Sequence, residues 1–275
     1  MTTYLCRACG TQYPPGDEPP GACPICEDQR QYIPHDAGQQ WVEWTAFIGD
    51  HKADLRDDHG ILGIGCEPAF AIGQRALLVK SGAGNVLWDC VPYLDDEIVA
   101  RIGAEGGLAA IAISHPHYYA SMIEWAHTFG CPIHLHEAER KWVMRPDPSV
   151  RFWNGETKDL GGGLTLIRCG GHYEGGQVLH WASEEHGAGR RALLTGDIVQ
   201  VIPDRRYVSF MYSYPNLIPL PASRVQHIAE ALAPYVFDTI YGAWFDRVVE
   251  RDGSAVVRRS VDRYVRAVTD PGLPS

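Results

Sequence analysis

The sequence has no long apolar run. Its 275 residues contain no stretch of about eighteen apolar residues, the length that a membrane-spanning helix needs. The first ten residues, MTTYLCRACG, also lack the apolar core of a secretory signal. We therefore expect a cytoplasmic protein that does not associate with a membrane.

Blocks of like charge are missing as well. Lys and Arg number 24 and Asp and Glu number 34, so the formal net charge of −10 is spread along the chain. A surface that binds nucleic acid requires clustered basic residues, which this distribution does not provide. We expect no nucleic-acid partner, and the number of subunits stays open, a homo-oligomer included.

The chain does contain eight cysteines, and four of them lie in two CxxC pairs near the N-terminus. Cys6 and Cys9 form one pair, and Cys23 and Cys26 form the other. Two short turns at this spacing can present four thiolates tetrahedrally to one ion. Residues 1–35 are too short and too rich in Pro and Gly to bury a core, so a metal must stabilise this module.

Either of two metals, zinc or iron, could occupy the site formed by the four cysteines. Four-thiolate sites without an open position are mostly structural zinc sites, as in a zinc ribbon. The residues CRACG and CPIC also resemble rubredoxin-like modules, such as the one in rubrerythrins, in which four cysteines hold an iron that passes single electrons. The choice between zinc and iron stays open.

The remainder, residues 36–275, alternates β-rich runs with helical stretches and shows no internal repeat. This order predicts an α/β (α+β layered) domain in which two packed sheets are flanked by helices. The predicted strands are 75–80, 85–89, 108–114, 132–135, 164–168, 177–181, 191–195 and 237–241, and the predicted helices are 95–104, 119–129, 137–144, 222–233 and 255–268.

Residues of the types that bind metals, histidine and aspartate, directly follow three of the predicted strands. The apolar run LAAIAIS ends directly in the residues HPH, which supply His115 and His117. His172 comes after another strand and two glycines, and Asp197 comes after a third strand and one glycine. Three imidazoles and a carboxylate are therefore expected at equivalent strand ends, where they could bind one metal ion.

Three segments resemble motifs of the metallo-β-lactamase superfamily. ISHPHYYAS, CGGHYEGGQVLHW and ALLTGDIV match, in this order, its HxHxDH motif, its GHTxGS-like turn and its GD turn. The resemblance covers residues 40–245 and implies an αββα sandwich with the metal site at one edge. It also implies that His115, His117 and His172 bind the first metal, and that Asp197 is the carboxylate that bridges two metals in dinuclear members.

The chain departs from this pattern at the second metal. The motif has Asp and His where this chain has Tyr119 and Ala120, and the late turn that usually carries another histidine reads YGAW at 241–244. Too few donors remain for a second ion, so one metal is predicted. Asp89, in VLWDC, resembles an aspartate that supports the metal-binding loop, and a helix-loop cap is the alternative.

With zinc, three imidazoles leave one coordination position open, and a water bound there has a pKa of about 7. This predicts a mononuclear hydrolase that uses metal-bound hydroxide on an ester, thioester or lactone-type small molecule. Asp197 would either complete the coordination of the metal or hold the water and take its proton. Tyr119 or Tyr118 would donate to an oxyanion or leaving group, or would only pack in the core.

With ferrous iron, His115, His172 and Asp197 could form a two-histidine, one-carboxylate face for oxygen and substrate. The superfamily's persulfide dioxygenases resemble this arrangement. The protein would then be a non-haem mononuclear iron oxidoreductase or oxygenase, with a four-cysteine iron as its electron relay. A third interpretation is a binding protein without catalytic activity. One zinc or one iron ion is expected in the His/Asp site, and one zinc or one iron ion in the four-cysteine site.

The stretch at 201–220, VIPDRRYVSFMYSYPNLIPL, follows Asp197 and is aromatic and rich in proline. Such a loop could form one wall of an active-site cleft. Arg205 and Arg206 within it would favour a carboxylate or phosphate, or would form a solvated charge pair at the rim.

Overall fold

The protein is described by a computed structural model that covers residues 2–183, 190–270 and 272. Its strands are β1 Tyr4–Cys6, β2 Trp41–Glu43, β3 Lys52–Asp57, β4 Leu62–Glu67, β5 Ala76–Val79, β6 Val86–Trp88, β7 Ala110–Ala112, β8 Ile133–His136, β9 Val150–Trp153, β10 Thr157–Gly161, β11 Leu164–Arg168, β12 Gln177–Ser183, β13 Arg190–Gly196, β14 Gln200–Val201, β15 Val208–Ser209, β16 Met211–Ser213, β17 Ile218–Pro219, β18 Thr239–Gly242 and β19 Val248–Val249.

The helices include short as well as long ones. They are α1 Pro24–Glu27, α2 Trp44–Asp50, α3 Asp96–Ala104, α4 Met122–Phe129, α5 Ala222–Leu232 and α6 Gly253–Thr269, with 3-10 helices at Pro116–Tyr118 and Glu137–Trp142. Within the described ranges, none of them is both long and apolar enough to cross a membrane.

Two large sheets pack face to face. One has the strand order β3-β4-β5-β6-β7-β8-β9, and the other has the order β10-β11-β12-β13-β18-β19. Alternate side chains of each sheet, such as Leu77 and Leu194, meet in the core between the sheets. The outer faces pack against α3 and α4 on one side and against α5 and α6 on the other. This confirms the predicted layered αββα fold.

The N-terminal module adds a two-stranded sheet to this sandwich. β1 pairs antiparallel with β2, so that Tyr4 lies opposite Glu43. Residues 41–43 therefore share a sheet with the module that we expected to end at residue 35. The four cysteines of the CxxC pairs are buried around Ile25 in a small cluster, which is completed by residues outside the module such as Trp41 and Trp142.

Most predicted elements lie where the hydrophobic pattern put them. Each predicted strand is present, with bounds within two residues of the prediction. Asp95 is the N-cap of α3, since its carboxylate accepts the Ile98 amide at 2.9 Å. The short strands β1, β2, β14, β15, β16, β17 and β19 and the sheet strands β3, β4, β9 and β10 were not predicted. The residues of β3, KADLRD, are half-buried or exposed, and only Ala53 and Leu55 among them are apolar.

Two helix predictions need correction. The helix expected at 119–129 begins at Met122, because Pro116–Tyr118 forms a 3-10 turn and Ala120 has a positive φ of 44°. The segment expected as a helix at 137–144 is a 3-10 helix that ends at Trp142. Its Glu139 is buried and accepts a hydrogen bond from the Gly175 amide, which orients this turn toward the His172 loop.

A buried ion pair joins the first sheet to the end of β18. The side chains of Arg75 and Asp58 are both 1% exposed and form a direct salt bridge. Arg75 Nη1 also donates to the Gly242 carbonyl at 2.6 Å, and Asp58 Oδ1 accepts the Asp246 amide at 3.1 Å. The pair therefore ties together chain segments that are far apart in sequence.

We expect Arg75→Ala to lower the free energy of unfolding by about 3–5 kcal/mol, because the Asp58 carboxylate stays buried without its partner. Arg56→Ala is the matched control: its salt bridge to Asp54 is half exposed, so we expect a loss below about 1 kcal/mol. Urea unfolding followed by circular dichroism measures both. Equal losses would contradict the structural role of the Arg75–Asp58 pair.

Candidate metal centres

Strand ends bring the predicted donors to one edge of the sandwich. His115 and His117 follow β7, His172 follows β11 and Asp197 follows β13. The ligand atoms of the three histidines lie within 4.8 Å of one another. Asp197 Oδ1 lies 3.3 Å from His115 Nε2 and 3.6 Å from His172 Nε2. The structure thus brings together the four side chains that the sequence assigned to this site, here called the histidine site.

Three polar atoms of the histidine site are buried without a hydrogen-bond partner among the described residues. They are His115 Nε2, His172 Nε2 and Asp197 Oδ1. An unpaired polar atom in an interior costs about 1–3 kcal/mol. A cation placed between these atoms would contact all of them, and imidazoles with a carboxylate suit zinc or ferrous iron. The residues therefore fit a metal ion.

Burial also sets the charge states at the histidine site. It lowers the pKa of His117 to about 3 and holds the pKa values of His115 and His172 well below their usual range. All three imidazoles are then neutral at pH 7, which is the form that binds metals. Burial, with a further contribution from the charge of Asp89, raises the pKa of Asp197 to about 7.

Two side chains support His115 from behind. Asp89 Oδ1 accepts the Ser114 amide at 2.7 Å, and the Ser114 hydroxyl is hydrogen-bonded to His115 Nδ1 at 2.9 Å. This contact engages Nδ1 and leaves Nε2 to face the other ligands. Asp89 therefore supports the metal-binding loop and does not cap a helix.

The two tyrosines of the HPHYYAS segment lie in different surroundings. The Tyr118 ring is 4.5 Å from the His115 ring, and its hydroxyl faces Asp197, whose charge helps to raise the Tyr118 pKa. Tyr119 is buried in the core between the first sheet and its helices, and its charged neighbour is Glu139. Of these two candidates, Tyr118 is therefore the one that contacts the histidine site.

The positions that would hold second-metal ligands make other contacts instead, Ala120 with the N-terminal module and the YGAW turn with residues 72–75. Ala120 is buried, and its carbonyl accepts the Gln12 amide at 3.0 Å. In the YGAW turn, the Ala243 carbonyl accepts the Arg75 amide at 2.9 Å, and the Trp244 indole donates to the Ile72 carbonyl at 3.0 Å. Both positions are thus engaged in docking contacts.

The four cysteines of the two CxxC pairs converge as predicted. Their sulfur atoms lie within 4.8 Å of one another, with Cys6 Sγ 3.6 Å from Cys26 Sγ and Cys9 Sγ 3.7 Å from Cys23 Sγ. All four are buried, and Gln39 Nε2 lies 3.2 Å from Cys6 Sγ. Four buried thiols in a compact group fit a tetrahedral metal site, here called the four-cysteine site.

A cleft of about 260 Å³ opens onto the histidine site, and Ala8, which lies between Cys6 and Cys9, also lines it. His117, His172 and Asp197 lie at its base. The N-terminal module and the loop after Asp197 contribute its walls, which include Ala8, Arg30, Gln31, Tyr32, Tyr212, Tyr214 and Trp244. The aromatic stretch at 201–220 therefore lines a cleft, as the sequence predicted.

Sequence reasoning missed several residues around the histidine site. The Tyr173 hydroxyl is 3.1 Å from His117 Nε2, and the Tyr214 hydroxyl donates to the Asp197 carbonyl at 2.8 Å. Arg30 lies above the Tyr173 ring. Tyr173 directly follows His172, and this position next to a predicted ligand was the one sequence signal that could have identified it. Arg30 lies far from the motifs in sequence, and only the fold brings it near.

The chain resembles a bacterial protein along nearly its whole length. It is 47% identical over 273 residues to YmaE of Bacillus subtilis (strain 168), an uncharacterized protein, and the match covers 98% of this chain and 97% of YmaE. No protein-family model matches.

Solved structures with a similar fold include metallo-β-lactamases. VMB-1 has a TM-score of 0.56 and 14% identity, over 79% of this chain and 99% of VMB-1. A B3 metallo-β-lactamase with an active-site glutamic acid has a TM-score of 0.51 and 16% identity, over 78% of this chain and 90% of that enzyme. These likenesses show the metallo-β-lactamase fold and confirm the resemblance found in the motifs.

Gly196 provides a test of how tightly the metal-binding loops are packed. It has a φ of +56°, and a Cβ there would lie 2.5 Å from Ser114 Oγ. We expect Gly196→Ala to destabilise the fold by more than about 1 kcal/mol, because the backbone conformation and the contact are both unfavourable for alanine. Thermal unfolding of the purified protein measures the change.

Gly103→Ala is the matched control for this substitution. Gly103 lies within α3, and a Cβ there would meet nothing within 4 Å. We expect a gain of about 0.5–1 kcal/mol, since alanine favours a helix interior. A Gly196→Ala protein as stable as the wild type would contradict the close packing of Ser114 against this turn.

Proposed function

Because this chain belongs to the same family as Bacillus subtilis YmaE and has the metallo-β-lactamase fold, we propose that it is a mononuclear metal-dependent hydrolase. Its substrate would be a small ester, thioester or lactone. The observation that carries this proposal is the histidine site: three neutral imidazoles and a carboxylate, with unpaired buried atoms, at the base of a cleft.

His115, His117 and His172 would hold the ion. Zinc held by three imidazoles lowers the pKa of a coordinated water to about 7 and so supplies a hydroxide nucleophile at neutral pH. Asp197 is suited to orient the attacking water and to accept its proton, because its Oδ1 faces the imidazoles and burial raises its pKa to about 7.

Neighbouring residues would keep Asp197 in place. The Tyr214 hydroxyl donates to its main-chain carbonyl at 2.8 Å, and the Tyr118 hydroxyl faces its carboxylate. Tyr212, Tyr214 and Trp244 line the cleft and would pack against an apolar part of the substrate. The cleft volume of about 260 Å³ suits a small molecule.

Arg205 and Arg206 contribute little to this cleft. Arg206 is 80% exposed and pairs with Asp204, and Arg205 donates to the Ile202 and Asp246 carbonyls. This arrangement supports the solvated charge pair at the rim and gives no support to a carboxylate- or phosphate-bearing substrate.

A second candidate function is redox chemistry at an iron. The observation that favours it is the position of the four-cysteine site: Ala8, between Cys6 and Cys9, lines the same cleft as His117. A four-cysteine iron there could exchange single electrons with an iron at the histidine site, acting as an electron relay. A hydrolase has no use for such a carrier.

Metal analysis separates these two functions. We expect about two metals per chain, with one lost in His172→Ala and the other in Cys23→Ser, because each substitution removes one of the few protein ligands of its site. His127→Ala is the matched control, since His127 is half exposed and pairs with Asp147. Elemental analysis of protein purified without added metal gives the counts.

The metal identities then decide between the candidates. Zinc in the histidine site supports the hydrolase. Iron in both sites, with a visible spectrum that dithionite bleaches, supports the redox enzyme. A His172→Ala protein that retains the full metal content would contradict a metal at the histidine site altogether.

Asp197→Asn tests the proposed base. We expect a kcat about 10²- to 10⁴-fold lower on whichever ester, thioester or lactone the zinc-loaded protein hydrolyses, since an amide cannot accept the proton. KM should change little, because the carboxylate acts on the water. A variant with wild-type kcat would contradict this role for Asp197, and a zinc-loaded wild type that hydrolyses no compound of these classes would contradict the hydrolase itself.

A further inference from the structure

Arg30 belongs to the N-terminal module but faces the histidine site. It lies four residues after Cys26, in the segment that follows α1. Asp28 holds its guanidinium from the same segment: Arg30 Nε donates to Asp28 Oδ1 at 2.5 Å, and Nη2 donates to Asp28 Oδ2 at 2.8 Å. This two-point contact fixes the plane of the guanidinium.

The third nitrogen of the guanidinium contacts the loop that carries His172. Arg30 Nη1 donates to the His172 carbonyl at 2.7 Å. The two preceding residues, Gly170 and Gly171, have φ values of +67° and +94°, so the loop has little conformational restraint of its own. A hydrogen bond from a fixed cation to the carbonyl of the ligand residue restricts where the imidazole can lie.

The face of the same guanidinium packs on the residue next to His172. Arg30 Cζ lies 4.0 Å from the centre of the Tyr173 ring. The Tyr173 hydroxyl is hydrogen-bonded to His117 Nε2 at 3.1 Å, which leaves Nδ1 as the nitrogen of His117 that can bind an ion. Arg30 thus contacts the supports of two ligands, His172 directly and His117 through Tyr173.

These contacts argue against a role for Arg30 in binding an anionic substrate. Its side chain is only 13% exposed, and each of its three nitrogens already donates to Asp28 or to His172. The Arg30 carbonyl accepts the Ser213 hydroxyl at 3.0 Å, so the main chain is held as well. Three of its five N–H groups are thus engaged within the protein, and a side chain fixed in this way can position its neighbours.

We propose that Arg30 is a positioning residue, supplied by the four-cysteine module, that sets the metal affinity of the histidine site by holding His172 and Tyr173. This rests on the proposed role of the histidines as metal ligands. Interactions behind the ligands of a metal commonly change its affinity by about 10- to 100-fold.

The test is a zinc competition experiment on the full-length protein. Zinc-loaded wild type, Arg30→Ala and Arg30→Lys are equilibrated with graded concentrations of a chelator, and retained zinc is measured by elemental analysis. We expect the histidine site of Arg30→Ala to bind zinc about 10- to 100-fold more weakly. Arg30→Lys should be intermediate, because an ammonium keeps the charge but loses the planar fork.

Arg206→Ala is the matched control. Arg206 makes the same two-residue fork to Asp204, with Nε and Nη2 each 2.8 Å from a carboxylate oxygen, but it lies on the surface away from the cleft. Its zinc affinity should match that of the wild type. The reactivity of the four buried cysteines toward a thiol reagent monitors the four-cysteine site, and it should stay unchanged in the Arg30 variants.

Tyr173→Phe isolates the second contact. It keeps the ring under Arg30 but removes the hydroxyl that contacts His117, so zinc affinity should again fall. The proposal is overturned if Arg30→Ala, or Arg30→Lys should the alanine variant not fold, binds zinc within twofold of Arg206→Ala. If His172→Ala loses no zinc, the metal site itself is wrong, and this result is distinct from failure of the Arg30 proposal alone.

Discussion

Three buried imidazoles and one buried carboxylate meet at one edge of the sandwich, and three of their polar atoms lack partners among the described residues. Buried polar atoms normally have a partner, and this set of donors fits a metal ion. Neighbouring side chains hold the three histidines in place. Ser114 orients His115, Tyr173 contacts His117 and Arg30 holds the His172 carbonyl.

The N-terminal module contributes residues that contact the histidine site and its loops. Gln12 binds the Ala120 carbonyl, where a second-metal histidine would stand, and Arg30 contacts the His172 loop from the other side. Through these contacts, folding of the N-terminal module supports the geometry of the histidine site.

Local patterns predicted the strands and the donors. The apolar runs before His115 and Asp197 read directly as buried strands, and each ligand follows its strand by a few residues. Contacts between distant segments could not be read in this way. Tyr118 and Tyr119 are adjacent in sequence, and only the 3-10 turn at Pro116–Tyr118 decides which ring contacts His115. Arg30 follows the second CxxC pair and lies far in sequence from the histidine-site motifs, and β3 has too few apolar residues to be recognised as a strand.

Anomalous X-ray scattering at the metal absorption edges, from crystals of protein purified without added metal, measures the central claim most directly. The account predicts one peak among His115, His117 and His172, with metal–nitrogen distances of about 2.0–2.1 Å, and one among the four sulfur atoms. No peak at the histidines, or two peaks bridged by Asp197, would contradict it.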